Sequence, residues 1–282
     1  MKCLNLACGP IYLTEAHWLN IDFTAVGRDV KGHDLLSPLP FQDDEYDLVY
    51  CSHFLEHIPR RYIHSFLSEC KRVLKPGGII RLVLPDCEEM FATYLDLRSK
   101  GLHHEADFVM IEIIDQCVRD QGGGELGAFY SMVSSMASGQ KAYWHDFMAH
   151  RNGETLEVNL PEPQSLASID ASCNSLPVLS AFLGSIQLRV RYIAHRFGLK
   201  LLLPAFKRHN VSFASIGEKH CWLWDFHQVK AALELSGFSA VCRQSHLSSQ
   251  YAMFPFFPLD ATANGLPRKG KESMYVEASF PG

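Results

Sequence analysis

Nine cysteines are spread over the 282 residues, and no two of them form a C-x-x-C pair. An odd, scattered set of thiols without that spacing argues against a zinc ribbon or a disulfide scaffold and predicts free thiols in a reducing compartment. No apolar run reaches the ~20 residues that a membrane-spanning helix needs. The opening MKCLNLACGP has one lysine and only a short apolar stretch before Gly9 and Pro10, so it does not read as a secretion leader, and a cytoplasmic location is expected. Excess positive charge is absent as well: 26 Lys and Arg stand against 31 Asp and Glu, a net charge of -5, which disfavours a general nucleic-acid binder. There is no internal repeat. Acidic residues are missing locally between Asp170 and Glu218, where Arg189, Arg191, Arg196, Lys200, Lys207 and Arg208 all fall. What remains is ordinary globular material, 47% hydrophobic and 20% charged, ample for a large core.

The first hundred residues alternate strand and helix signals. Cys3 to Leu6 is a short apolar strand ending in the loop Ala7-Cys8-Gly9-Pro10, and Trp18 to Asp22 is a second strand ending in a carboxylate. Val30 to Asp34 is a weak third, and Tyr46 to Cys51 alternates as a fourth. Arg60 to Leu74 places Ile63, Phe66, Leu67, Cys70, Val73 and Leu74 at the 3/4 spacing of an amphipathic helix. Lys75-Pro76-Gly77-Gly78 stops it, and Ile79 to Leu84 is a fifth strand closed by Pro85. Asp86 with Glu89 reads as a capping box opening another helix. Only nine residues separate Gly9 from Leu19, fewer than a helical crossover requires, so the first helix shrinks to a turn or two. Helical runs are expected around Glu105 to Arg119 and Pro177 to Phe197. A tidy helix follows over Asp225 to Ser236, with strands at Phe238 to Arg243 and Ser273 to Ser279. This predicts an α/β fold in which a mostly parallel sheet carries helices on both faces. The domain reading is a core over 1–100, a mainly helical insertion over 101–217 and the rest of the core over 218–282.

Ser52-His53-Phe54-Leu55-Glu56-His57 contains H-x-x-E-H, the spacing of an inverted zinc-peptidase motif. The segments around it decide against that reading. Leu4-Asn5-Leu6-Ala7-Cys8-Gly9, Trp18 to Asp22, and His33-Asp34-Leu35-Leu36-Ser37-Pro38-Leu39-Pro40-Phe41-Gln42-Asp43 precede it in order. Tyr46-Asp47-Leu48-Val49, the SHFLEH stretch itself and Arg72-Val73-Leu74-Lys75-Pro76-Gly77-Gly78 continue the series. Together these resemble class I S-adenosylmethionine-dependent methyltransferases, in the branch with a small-molecule methyltransferase domain. The resemblance covers residues 3–86, resumes over about 218–282 with Gly237-Phe238 and Glu272 to Glu277, and is weak between.

The resemblance implies a Rossmann-like, seven-stranded fold that binds S-adenosylmethionine at the carboxyl edge of its sheet. Open α/β sheets bind ligands there on general grounds. Ala7, Cys8 and Gly9 are small enough to let backbone approach a ligand, and Asp22 can accept hydrogen bonds from vicinal ribose hydroxyls. By resemblance, Asp34 accepts from the adenine amino group, Leu35 packs on the ring, and Phe23 and Ser52 belong to the same shell. Loop capping is the alternative for Asp22 and Asp34. Leu39 and Phe41 read as core. The family's first loop glycine is Ala7 here, a departure at a position where glycine permits φ > 0.

His53 and His57 are the candidates for an acceptor base or orienting group, with helix-start or packing roles as the alternative. Asp86, Tyr143, His145, His220 and Trp222 are candidate acceptor contacts, although aromatic clusters are commonly core. No ligand cluster is evident in the sequence, so a metal-free site is expected. The implied reaction is methyl transfer, on oxygen, to a small-molecule or glycan acceptor; the branch accompanies surface-polysaccharide and natural-product pathways. A catalytically silent cofactor binder and a nucleic-acid methyltransferase are the competing functions. Arg189, Arg196 and Lys200 share one face of an amphipathic helix, either solvated or facing an anionic membrane or phosphorylated acceptor.

Overall fold

The computed structural model describes residues 1–24, 27–119, 121–153 and 219–281. Among the described residues, seven strands form one sheet: β1 (Cys3–Leu6), β2 (Trp18–Asp22), β3 (Val30–Gly32), β4 (Tyr46–Ser52), β5 (Leu74–Pro85), β6 (Ser239–Gln244) and β7 (Ser273–Ser279). Their order is β3-β2-β1-β4-β5-β7-β6. The first five strands are mutually parallel, and β7 runs antiparallel between β5 and β6. The chain thus starts mid-sheet, winds out to one edge, and returns to build the other half from β4. A crevice is left at the carboxyl ends of β1 and β4, where the winding reverses. The expected Rossmann-like α/β sheet is present.

Alternation along the strands sorts the core into two faces. Leu4, Leu6, Val49, Cys51, Ile80, Leu82, Leu84, Val276 and Ala278 enter one apolar cluster, and Cys3, Leu48, Tyr50, Val83 and Tyr275 enter another. Two helices cover the first face. In α1 (Arg60–Val73) the buried residues are Ile63, Phe66, Leu67, Cys70 and Val73, the stripe that the sequence spacing predicts. Burying each large aliphatic or aromatic side chain there contributes about 1.5–3 kcal/mol. The helix ends at Val73, and β5 starts at once, five residues before the strand expected at Ile79.

The second of these helices lies near the end of the chain. Its N-cap, Asp225, accepts from the Gln228 N–H at 2.7 Å, and Val229 and Leu233 are its buried residues. We number it α6 (Phe226–Leu235).

The opposite face is covered by loop segments and a one-turn helix, α7 (Phe256–Leu259), through Tyr251, Phe254 and Leu259. A buried charge network fastens this cover. Arg81, fully buried on β5, donates through Nε to Asp260 at 2.7 Å and through Nη1 to Glu277 at 2.7 Å. The Tyr50 hydroxyl donates to the same Asp260 at 2.7 Å.

After β5 come α2 (Cys87–Ser99), α3 (His103–Val118), α4 (Gly124–Ser134) and α5 (Ser138–Asn152). They carry apolar clusters of their own, one around Met90, Val109 and Ile113 and one around Phe108, Val133, Trp144 and Met148. Backbone joins them to the sheet: Lys271 and Glu272 donate their N–H groups to the carbonyls of His150 and Arg151, both at 3.1 Å. Glycine is required at this crossing, because a Cβ on Gly153 would stand 2.1 Å from the Arg268 carbonyl oxygen.

Two local expectations are corrected. Between β1 and β2 the chain makes turns and no helix, since so short a connection leaves no length for one. The capping box at Asp86 is half formed: its carboxylate accepts from the Glu88 N–H at 3.2 Å. Glu89 turns away to bind Arg151 at 3.0 Å. The helical run expected over Pro177 to Phe197, with Arg189, Arg196 and Lys200, lies outside the described residues.

Candidate active site

A cavity of about 490 Å³ opens at the carboxyl ends of β1 and β2, lined by Ala7, Asp22, Phe23, Asp34, Leu35, His53 and His57 among others. Each reaches it by position in the fold, at or just beyond the end of a strand. Asp22, the last residue of β2, accepts from the Gly9 N–H at 2.9 Å and the Thr24 N–H at 3.2 Å. These bonds fix the loop after β1 and occupy two of a carboxylate's roughly four acceptor positions. Asp34 likewise accepts from the Leu36 N–H at 3.0 Å. Asp34 also accepts from the Ser37 hydroxyl at 3.3 Å, so both aspartates cap loops with each oxygen engaged once and keep acceptor capacity beyond those bonds. Leu35 is buried, while Phe23 and Leu36 are exposed large apolar residues on the cavity wall.

Ala7 has φ 53°, inside the left-handed region. This is the backbone geometry for which glycine is the natural residue, so the alanine carries strain on the order of 1–2 kcal/mol. Cys8, Gly9 and Ser52 do not line the cavity. Cys8 is buried with its N–H on the Ile21 carbonyl at 3.2 Å, Gly9 turns its N–H to Asp22, and Ser52 is paired with Val83 in the sheet.

A second cavity of about 350 Å³ adjoins the first, and His53 and His57 line both. Its other walls include Gln116, Arg119, Tyr130, Asn152, His220, Lys269 and Glu272, which makes it much more polar. His53 is held at φ 51°, with Nε2 3.0 Å from the Ser273 hydroxyl. Its Nδ1 is 3.3 Å from Glu56 Oε1, without the alignment of a hydrogen bond. Burial holds the His53 imidazole below its ordinary range and pushes His220 down to about 4. His57 Nδ1 donates to the Lys219 carbonyl at 3.0 Å, and its ring stands edge-on to that of His220, with centroids 4.8 Å apart.

The remaining expected acceptor contacts are not brought here. Asp86 is buried, caps α2 and pairs with Arg243. The Tyr143 hydroxyl donates to Glu105, and His145 sits beside Trp144 on α5. Trp222 donates to Gln228 at 2.8 Å under the Arg60 guanidinium and lines a different groove with Phe91 and Leu223. Conversely, sequence reasoning missed Gln116, Arg119, Tyr130, Asn152 and Lys269. They sit on four separate segments, and no spacing rule links them to the histidines.

Residues 22–82 match the family described as "Methyltransferase domain". An uncharacterized methyltransferase of Synechocystis sp. is 36% identical over 29% of this chain and 46% of that protein. A probable methyltransferase of Aspergillus luteorubrus is 29% identical over 27% and 37% respectively. The chain thus spans less than half the length of each of these relatives. A crystal structure of an S-adenosylmethionine dependent methyltransferase from Mesorhizobium loti superposes with a TM-score of 0.26 at 20% identity, over 30% of this chain and 46% of that one. Over residues 22–82, which lie within the sheet described above, the chain is thus similar to methyltransferase domains.

Proposed function

We propose that this protein transfers a methyl group from S-adenosylmethionine to an oxygen of a small-molecule or glycan acceptor. One observation carries the reading: two adjoining cavities, one walled by paired aspartates and apolar side chains and the other polar, share His53 and His57. The first cavity falls in the range of about 300–1,000 Å³ typical of small-molecule sites. Its residues fit the cofactor. Asp22 retains acceptor capacity for ribose hydroxyls, Asp34 offers an edge to the adenine amino group, and Phe23, Leu35 and Leu36 supply apolar walls. When bound, the cofactor supplies an electrophilic methyl on sulfur that is displaced in line. The chain's own part is positioning. His53, fixed by Ser273, and His57, fixed by the Lys219 carbonyl, present ring edges to both cavities and orient an acceptor held against Tyr130, Asn152 and Gln116.

Titration calorimetry with S-adenosylmethionine and S-adenosylhomocysteine tests the first half. Asp22→Ala should weaken both by about 1.5–3 kcal/mol, as for a hydrogen bond to a charged group. Absence of heat with the unaltered protein would sink the proposal. A silent cofactor binder is the second reading, favoured by the Ala7 side chain in the cavity wall. Tight binding without product from any acceptor in a mass-spectrometric screen would support it.

A further inference from the structure

H-x-x-E-H by spacing alone is no metal site, but the fold brings a distant histidine to it. Glu56, His57 and His220 each offer one ligand atom, and these atoms lie within 4.8 Å of one another. Glu56 is 0% exposed and His220 8% exposed. Among the described residues, both Glu56 oxygens and His220 Nδ1 are buried and make no hydrogen bond, although Glu56 Oε1 stands 3.3 Å from His53 Nδ1. Leaving buried polar atoms without hydrogen bonds is costly, so this concentration of them needs a reason. His57 supplies a third clue. Its Nδ1–H is committed to the Lys219 carbonyl at 3.0 Å, which fixes the tautomer and leaves Nε2 as a lone-pair donor. That is the outer hydrogen bond that metal-ligating imidazoles make.

We propose that Glu56, His57 and His220 bind one divalent transition-metal ion of the zinc class. Two imidazoles and a carboxylate are a donor set for such ions, and three protein ligands leave a coordination position open. Ligands about 2.0–2.2 Å from a tetrahedral ion stand roughly 3.4 Å apart, so closure requires side-chain rotations on the order of 1 Å. His57 and His220 both line the second cavity, so the open position faces it. An acceptor hydroxyl bound there would be polarised toward loss of its proton. That last consequence rests on the methyltransferase reading; metal binding does not.

The test uses the whole chain, stripped with chelator and titrated with Co²⁺ and then Zn²⁺. One equivalent of Co²⁺ should give the intense visible bands of a low-coordinate site, and Zn²⁺ should displace it. Glu56→Gln, His57→Gln and His220→Gln should each abolish the bands and weaken Zn²⁺ by more than the roughly 10–100-fold that outer-shell changes cost. His64→Gln, whose ring bonds Ser236 on another face, should leave binding unchanged. X-ray absorption at the zinc edge of the unaltered protein decides the case even if a variant fails to fold: two imidazoles and oxygen are expected. Sulfur ligation through neighbouring Cys221, no stoichiometric binding, or unaltered binding in all three variants would overturn the site. Cofactor calorimetry is read separately, so failure of one proposal is distinguishable from failure of the other.

Discussion

At Ala7 the cost of one methyl group can be measured. The left-handed backbone there strains an alanine by about 1–2 kcal/mol, and glycine gives back about 0.5–1 kcal/mol in unfolded-chain entropy. Ala7→Gly is therefore expected to stabilise the protein by up to about 1 kcal/mol in chemical unfolding; a destabilised variant would show that the Cβ packs usefully. That glycine, which permits left-handed backbone, is usual at this position was implied by the family resemblance; the backbone angle itself came from the structure. Residues placed by strand ends were equally legible: Asp22, Asp34, His53 and His57 all reach a cavity. His220 was found through its aromatic neighbourhood, but its meeting with Glu56 was not. Three-dimensional closure of segments far apart in the chain leaves no periodic trace, and the sequence offers Glu56 only as the carboxylate of the H-x-x-E-H spacing.

Among the elements, α1 shows how periodicity becomes stability. Leu67 is 0% exposed and sits between Phe66 and Cys70 in the main apolar cluster. Leu67→Ala should cost about 2–5 kcal/mol, read as a lower denaturation midpoint with an unchanged slope. A loss below about 1 kcal/mol would mean that the helix repacks. The 3/4 stripe of α1, the short apolar run of β1 and the alternation in β4 made these elements readable to within a residue or two. The cover of the second sheet face was not readable, since it is a loop held by Arg81, Asp260, Glu277 and Tyr50 and not by any repeating pattern. The start of β5 was missed because Pro76, Gly77 and Gly78 signal a break, whereas the strand runs through them.

For the whole molecule, the seam between the helices and the sheet sets a pH dependence. Arg151 faces Glu89 at 3.0 Å, Glu112 at 3.1 Å and Glu272 at 3.9 Å, one cation against three carboxylates. Burial outweighs Arg151 and raises Glu112 to about 7, and burial also raises Glu272 well above its ordinary range. A folded-state value above the unfolded 4.5 means that the native form binds the extra proton. This contribution is complete below the unfolded value and is lost as pH rises through the folded one. Relative to Glu112→Gln, the unaltered protein should therefore lose melting temperature between about pH 5 and pH 7, and a constant difference would remove Glu112 from the account. The turns that replace a helix between β1 and β2 have a different consequence, one of motion. Among the described residues no helix lies between β1 and β2 or between β2 and β3, and β3 itself is a three-residue edge strand with two exposed positions. Amide hydrogens of β3 should exchange early, because local opening starts at short, exposed edge elements. The loops after β2 and β3 that wall the first cavity hang from that same edge, so its occupant would be the rivet that closes this margin of the sheet.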